Sequence, residues 1–190
     1  MTPTDVWSCV PAARAYANRR EPAVLPLRTK RKRAEAQPRV AIRVTCRYDL
    51  SSSRVFNAWL DAEFAGSWLF ATASQPMAHV EIDGRPGGSF CLIDRQAGKD
   101  IAYTGRYVEI IPYRELVFTL SMAPHPDVIT RVSVAIAPRV KGCVLSLVHK
   151  NVPHDHANYV EGRWTGILYG LGVTLDSLSP QQSTTMRSEP

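Results

Sequence analysis

The sequence lacks any apolar run long enough to cross a bilayer, which takes about 20 residues. Its four cysteines form no C-x-x-C pair and have no histidines at zinc-finger spacing. No phosphate-binding glycine loop, paired carboxylate motif or nucleophile–base motif is present either. These absences argue against a membrane-spanning helix and leave no signature of a nucleotide-dependent or hydrolytic enzyme. No cofactor or metal is predicted.

The cysteines Cys9, Cys46, Cys91 and Cys143 are scattered along the 190 residues. Three of them lie inside strand-like runs, where a free cysteine behaves as a small buried hydrophobe. This usage favours a reducing, cytoplasmic setting over a disulfide framework.

Outside the first 38 residues, the chain also lacks an excess of positive or negative side chains. Residues 1–38 carry eight of the 23 Lys and Arg and three of the 17 Asp and Glu, which leaves 15 basic and 14 acidic side chains elsewhere. The remaining 152 residues therefore have a net charge of +1, although the whole chain has +6. A nearly neutral domain gives no reason to expect a nucleic-acid partner for the folded part.

The first 38 residues contain five prolines and no sustained apolar periodicity, so we expect a disordered basic tail. Its basic run, TKRKR at residues 29–33, is compatible with a nuclear signal, a nucleic-acid arm, an organelle transit peptide or a solvated extension. Residues 179–190 are expected to be a second disordered tail, which leaves one domain at residues 39–178.

The middle of the chain alternates between apolar and polar residues in short runs separated mostly by Gly and Pro. Two short helices are predicted after the first strand, because Ser51, Ser52, Ser53 and Asp61 can cap helices that carry Phe56 and Trp68. The predicted strands are residues 40–48, 77–83, 89–95, 101–111, 115–122, 128–137 and 143–150. The pattern indicates an α+β fold with six or seven antiparallel strands.

Residues 159–178 predict a long C-terminal helix that covers the sheet. Its apolar side chains recur at steps of three and four: Val160, Trp164, Ile167, Leu168, Leu171, Leu175 and Leu178. The helix also carries Gly162, Gly166 and Gly170, each of which costs about 1 kcal/mol relative to alanine. Close packing of the helix backbone on a strand explains these glycines, and so does space left for a bound molecule.

Three motifs carry a resemblance to a known family. They are SRVFNAW at residues 53–59, VEIDGRPGGSF at residues 80–90, and the run from Gly105 to Thr119 with its central E-I-I-P. Together with the helix after Trp164, they resemble the SRPBCC superfamily, in the START-like branch named after the activator of the heat-shock ATPase. The resemblance implies a helix-grip fold, in which a curved antiparallel sheet wraps around the C-terminal helix and encloses a cavity.

The chain departs from the family pattern at three places. Asp61-Ala62 stands where an acidic residue and proline are usual, residues 69–73 replace a Trp-x-Gly-Pro loop, and Arg163 replaces the glycine before the final tryptophan. These positions surround the expected mouth of the cavity, so the resemblance does not carry over a ligand.

Aromatic side chains and the apolar face of the helix supply the expected cavity lining, although each aromatic residue is first of all a core former. The expected lining residues are Phe56, Trp59, Trp68, Phe90, Tyr107, Phe118, Trp164, Leu168 and Leu171. We expect Gly166 and Gly170 to border the cavity and leave space in it.

Two groups of polar residues suggest chemistry. Glu109 shares strand parity with Tyr107, so it either faces the cavity as a general acid or base or, as we prefer, points outward. His149, His154 and His156 lie close together around Asp155; they could bind a metal, but capping and surface roles are the preferred interpretation.

The resulting hypothesis is a small soluble domain that binds a hydrophobic, lipid- or polyketide-like molecule, and no catalytic activity follows from its motifs. A cyclase or aromatase of the same fold, using Glu109 or Tyr107, is the first alternative. A co-chaperone or protein-interaction module is the second, and a homodimer remains open.

Overall fold

A computed structural model describes residues 38–71, 76–96 and 99–177. Of the predicted basic tail, residues 1–37 lie outside the described residues, and so does the whole of the predicted C-terminal tail. The elements in chain order are β1 (Arg39–Tyr48), α1 (Ser52–Asn57), α2 (Ala62–Trp68), β2 (His79–Ile82), β3 (Ser89–Gln96), β4 (Lys99–Ile111), β5 (Glu115–Met122), β6 (His125–Pro138), β7 (Cys143–Pro153) and α3 (Ala157–Ser177).

The seven strands form one antiparallel sheet in the order β1-β7-β6-β5-β4-β3-β2. Strands β2 to β7 follow one another as a meander, whereas β1 pairs with β7, the last strand in the sequence. This pairing joins the two ends of the domain, with Val44 opposite Leu147. The predicted α+β class, with a sheet wrapped on a long C-terminal helix, is confirmed.

Alternation along the strands separates a buried face from an exposed one. In β7 the side chains of Cys143, Leu145, Leu147 and His149 are buried, and the intervening residues are only partly buried. In β1 the arginines at 39, 43 and 47 are exposed while Ile42 is buried. One face of the sheet therefore forms the core that the helices cover.

The two short helices begin where the sequence places their caps. The Ser51 hydroxyl accepts a hydrogen bond from the Arg54 amide at 3.3 Å, and an Asp61 carboxylate oxygen accepts one from the Phe64 amide at 3.0 Å. Each bond satisfies an amide that has no partner within its helix. Trp59 lies between the two helices and meets Trp68 edge to face, with ring centroids 4.9 Å apart.

Helix α3 lies on the concave face of the sheet along the predicted apolar stripe. Its buried side chains are Trp164, Ile167, Leu168, Leu171 and Leu175. Two long side chains hold its backbone from below: the Tyr48 hydroxyl donates to the Leu168 carbonyl at 2.7 Å, and Arg54 donates to the Leu175 carbonyl at 2.8 Å. The N-terminal turns of α3 lie above the ends of β5, β6 and β7, where the fold leaves a cavity.

Candidate functional site

The candidate site is a cavity of about 240 Å³ between the concave face of the sheet and the first turns of α3. The β5–β6 hairpin, the end of β7, α3 and the residue pair Phe70 and Tyr103 form its walls. The lining comprises Phe70, Tyr103, Leu120, Ser121, Met122, His125, Val128, Thr130, His149, Pro153, His156, Tyr159, Val160, Arg163, Trp164 and Ile167. The exposed side chains of Met122, Val128 and Tyr159 mark its mouth.

The floor of the cavity contains a chain of hydrogen bonds centred on His149. The Trp164 indole N–H donates to His149 Nδ1 at 3.0 Å, and His149 Nε2 lies 2.7 Å from the Thr130 hydroxyl oxygen. Because an indole nitrogen can only donate, Nδ1 must be the acceptor. The neutral ring then carries its proton on Nε2 and donates to Thr130, whose hydroxyl donates to the Leu120 carbonyl at 2.9 Å. Both ring nitrogens are thus occupied by structural bonds.

His149 is 6% exposed, and burial lowers its pKa from 6.5 to about 4. The charged imidazolium is disfavoured because it would lose its hydration in an apolar site. At neutral pH the floor of the cavity therefore carries a neutral imidazole.

Arg163 lies at the mouth and is held by aromatic rings. Its Nη2 donates to the Tyr103 hydroxyl at 2.6 Å and its Nη1 to the Tyr159 hydroxyl at 3.4 Å. Its guanidinium carbon lies 5.4 Å from the ring centroid of Tyr103 and 5.8 Å from that of Phe70. Those two rings are stacked nearly parallel, 4.2 Å apart. Cation–π attraction and hydrogen bonds together fix the position of the positive charge.

Phe70 separates this cavity from a second, much smaller one of about 10 Å³. It is the residue that the two linings share, and its ring also lies 5.5 Å from that of Trp164. Its backbone has φ of +61°, a left-handed conformation that is costly for a side chain of this size. The turn after α2 therefore holds Phe70 in place at a conformational cost, and the ring acts as a partition.

The residues expected to line one cavity have different surroundings. All nine are buried. Trp164 lines the large cavity, while Trp59, Phe90, Tyr107 and Phe118 line the small one. The other four, Phe56, Trp68, Leu168 and Leu171, line neither of these two cavities and pack in the core.

The two residues considered for acid–base chemistry do not reach the large cavity. The register between β4 and β5 shifts between Tyr107 and Glu109, so the parity that related them is broken and the Glu109 side chain is exposed. The outward orientation of Glu109 is therefore the observed one. Tyr107 is buried, its hydroxyl donates to the Trp59 carbonyl at 3.3 Å, and burial raises its pKa.

The glycines of α3 do not border the cavity, and this expectation was wrong. A methyl group added to Gly162, Gly166 or Gly170 would meet nothing within 4 Å, because these positions are on the side of the helix that faces away from the sheet. The glycine with a close neighbour is Gly172, where a methyl group would lie 3.3 Å from the Tyr48 ring. Close packing of the backbone thus explains this one glycine.

The three clustered histidines, His149, His154 and His156, lie in different environments. His149 is buried, whereas His154 and His156 are exposed on a 3-10 helix, His154–His156, whose middle residue is Asp155. Across the part of the chain that the structure describes, no three His, Cys, Asp or Glu side chains group as metal ligands.

The site residues that sequence reasoning missed include Phe70, Tyr103, Arg163, and His149 as a buried polar group. Two of them stand where the chain departs from the pattern of the family it resembles, and this departure was the available signal. For His149 the signal was its parity with Leu145 and Leu147 in an alternating strand.

None of the described helices combines the length and apolarity that a bilayer span requires.

Solved structures of similar fold include proteins from several bacteria. An uncharacterized protein from Rhizobium leguminosarum matches with a TM-score of 0.66 and 16% identity, covering 75% of this chain and 97% of its own. SA2116 from Staphylococcus aureus, a protein of unknown function, matches with a TM-score of 0.68 and 15% identity, covering 75% and 96%. CV1439 from Chromobacterium violaceum matches with a TM-score of 0.58 and 25% identity, covering 70% and 96%.

No curated protein matches the chain at a significant level. The family described as Activator of Hsp90 ATPase homolog 1-like protein matches residues 49–176, which is most of the described domain. That match agrees with the motifs in the sequence and with the sheet that wraps around α3. The chain belongs to the Activator of Hsp90 ATPase homolog 1-like family, within the SRPBCC superfamily of helix-grip domains.

Proposed function

We propose that this protein binds a hydrophobic small molecule in the cavity between the β5–β6 hairpin and the first turns of α3. The observation that carries the proposal is the cavity itself, about 240 Å³ of mostly apolar space that is open at one side. An apolar cavity of about 150 Å³ is already large enough to hold benzene. The space in this protein suits a compact ligand of roughly ten or more non-hydrogen atoms.

The polar groups of the cavity fit a binding role. His149 engages both ring nitrogens in structural hydrogen bonds, and Thr130 donates to a backbone carbonyl. These groups are therefore not free to exchange protons with a ligand, whereas a general base needs a free acceptor near the reacting atom. This arrangement supports binding over the alternative of a cyclase.

The test uses N-phenyl-1-naphthylamine, a neutral fluorescent lipophile, titrated into the full chain. We expect saturable fluorescence enhancement at micromolar concentrations. Val160→Phe, which adds bulk to the cavity wall, should weaken binding by about ten-fold or more, since overpacking an occupied space costs about 1–3 kcal/mol.

Val173→Phe is the matched control, because the same substitution falls on the same helix at a position that is 53% exposed and outside the cavity. Its affinity should stay within about two-fold of the parent. Absence of saturable binding by the parent, or equal loss in both variants, would rule out this cavity as the binding site.

A further inference from the structure

The mouth of the cavity has an excess of hydrogen-bond donors. An arginine guanidinium has five N–H groups, and Arg163 uses two of its nitrogens on Tyr103 and Tyr159. The other N–H groups have no acceptor among the described residues. Tyr103 accepts from Arg163, so its own hydroxyl proton is left to donate, and it too has no acceptor within the described part of the chain.

No carboxylate contacts this charge among the described residues, although the buried Asp94 lies close enough to Tyr103 to act on it electrostatically. None of the residues that line the cavity is Asp or Glu, and no carboxylate in the described ranges lies within 4.0 Å of Arg163. His125 and His156 also belong to the lining, and both are exposed at its rim. The site therefore combines one permanent positive charge with apolar walls.

The Arg163 guanidinium is also positioned by protein contacts before any ligand binds. The rings of Phe70 and Tyr103 support the guanidinium from one side, and the 2.6 Å bond to Tyr103 sets its orientation. Partial burial of Arg163 strengthens its interaction with an opposite charge relative to bulk water. A planar guanidinium can give two parallel N–H bonds to a carboxylate.

We propose that the cavity selects amphipathic monoanions, that is, compact apolar molecules that carry one carboxylate, which Arg163 and the Tyr103 hydroxyl bind at the mouth. This inference rests on the proposed binding function and adds the chemical class of the ligand. A single negative charge matches the single permanent cation. The apolar body would extend past Trp164 and Ile167 toward the sheet.

The test compares three ligands of one shape: 2-naphthoate, 2-naphthalenemethanol and 2-naphthylmethylammonium. Affinities are measured by isothermal titration calorimetry at pH 7.5 in low and high salt. We expect the affinity for 2-naphthoate to be higher than that for 2-naphthalenemethanol by about ten-fold or more, because hydrogen bonds to a charged group are among the stronger ones in proteins. The ammonium should bind more weakly than the alcohol, and high salt should reduce the preference for the carboxylate.

Arg163→Gln should abolish the preference while leaving affinity for the alcohol within about three-fold. Arg163→Lys should keep part of the preference for the carboxylate, since lysine retains the positive charge but lacks the planar guanidinium that gives two parallel N–H bonds. Arg114→Gln, on an exposed arginine outside the cavity, is the control and should leave all three affinities unchanged.

The outcomes separate the two proposals. If the alcohol binds and Val160→Phe blocks it, but the carboxylate binds no better, the cavity binds hydrophobic molecules and the monoanion inference is wrong. A preference that survives in Arg163→Gln would likewise overturn it. If none of the three ligands binds the parent protein, the proposed function fails and the inference fails with it.

Discussion

The indole N–H of Trp164 donates a 3.0 Å hydrogen bond to Nδ1 of His149, and both side chains are buried. One residue comes from the C-terminal helix and the other from the last strand, so this bond ties α3 to the sheet at the floor of the cavity. It also fixes which nitrogen of His149 carries the proton. Two of the predictions below depend on it.

Stability should fall in mild acid because of His149. Its pKa is lowered from 6.5 to about 4 in the folded protein, so the unfolded chain binds this proton more readily. The contribution of His149 to stability is complete above pH 6.5 and is lost as the pH falls toward 4. We expect it to account for about 2–3 kcal/mol of the unfolding free energy between pH 7 and pH 4.

Urea unfolding of the parent and of His149→Asn at both pH values measures this contribution. Carboxylates titrate in both proteins, so the difference between their pH dependences isolates the histidine. An NMR titration of the parent provides a direct check, and a His149 midpoint near 6.5 would contradict the expectation.

Trp164→Phe should destabilise the protein by about 1–3 kcal/mol, because it leaves the buried Nδ1 of His149 without its donor. The midpoint of His149 should also rise, since the lost bond favoured the neutral ring. Trp68→Phe is the matched control: it removes a buried indole that donates to the Ala58 carbonyl at 3.2 Å, away from His149. Both variants should lose stability, and an equal rise of the His149 midpoint in both would contradict the assignment.

Phe70→Ala should join the large cavity to the small one, because Phe70 is the partition between them. We expect a loss of about 3–5 kcal/mol in stability, as for other buried phenylalanines, together with a shift in preference from naphthalene toward the larger pyrene. Phe56→Ala should lose similar stability without this shift, because Phe56 borders neither cavity. Fluorescence titration with both hydrocarbons measures the preference, and an unchanged ratio in Phe70→Ala would show that Phe70 is not the partition.

Gly166→Ala should stabilise the protein by about 0.5–1 kcal/mol without changing ligand binding. The new methyl group would meet nothing within 4 Å, and alanine is the better helix former. Gly105→Ala should destabilise instead, since its methyl group would collide with the Thr119 carbonyl oxygen and the Phe90 ring. Thermal melts of both variants measure the effect, and a weaker affinity for N-phenyl-1-naphthylamine in Gly166→Ala would mean that the glycine does border the cavity.

Local patterns were sufficient for the secondary structure. The caps at Ser51 and Asp61 and the alternation in β7 depend on neighbouring residues, and they are found where the sequence predicted them. The apolar stripe of α3 likewise identified the side that is buried. The sequence left the orientation of Glu109 open between two alternatives, because it depends on a register shift between β4 and β5. The error arose at Gly166, where the outcome depended on the empty space beside a helix.

The sequence by itself determined the α+β class, the family and the face of α3 that packs on the sheet, because periodicity and motifs are properties of the chain. Only the tertiary structure decided where the cavity lies and which residues line it. Phe70, Tyr103, His149 and Arg163 come from four separate segments, and their distances follow from the pairing of β1 with β7 and the position of α3 above the sheet. A cavity is space that packing leaves unfilled, so no single stretch of sequence encodes it.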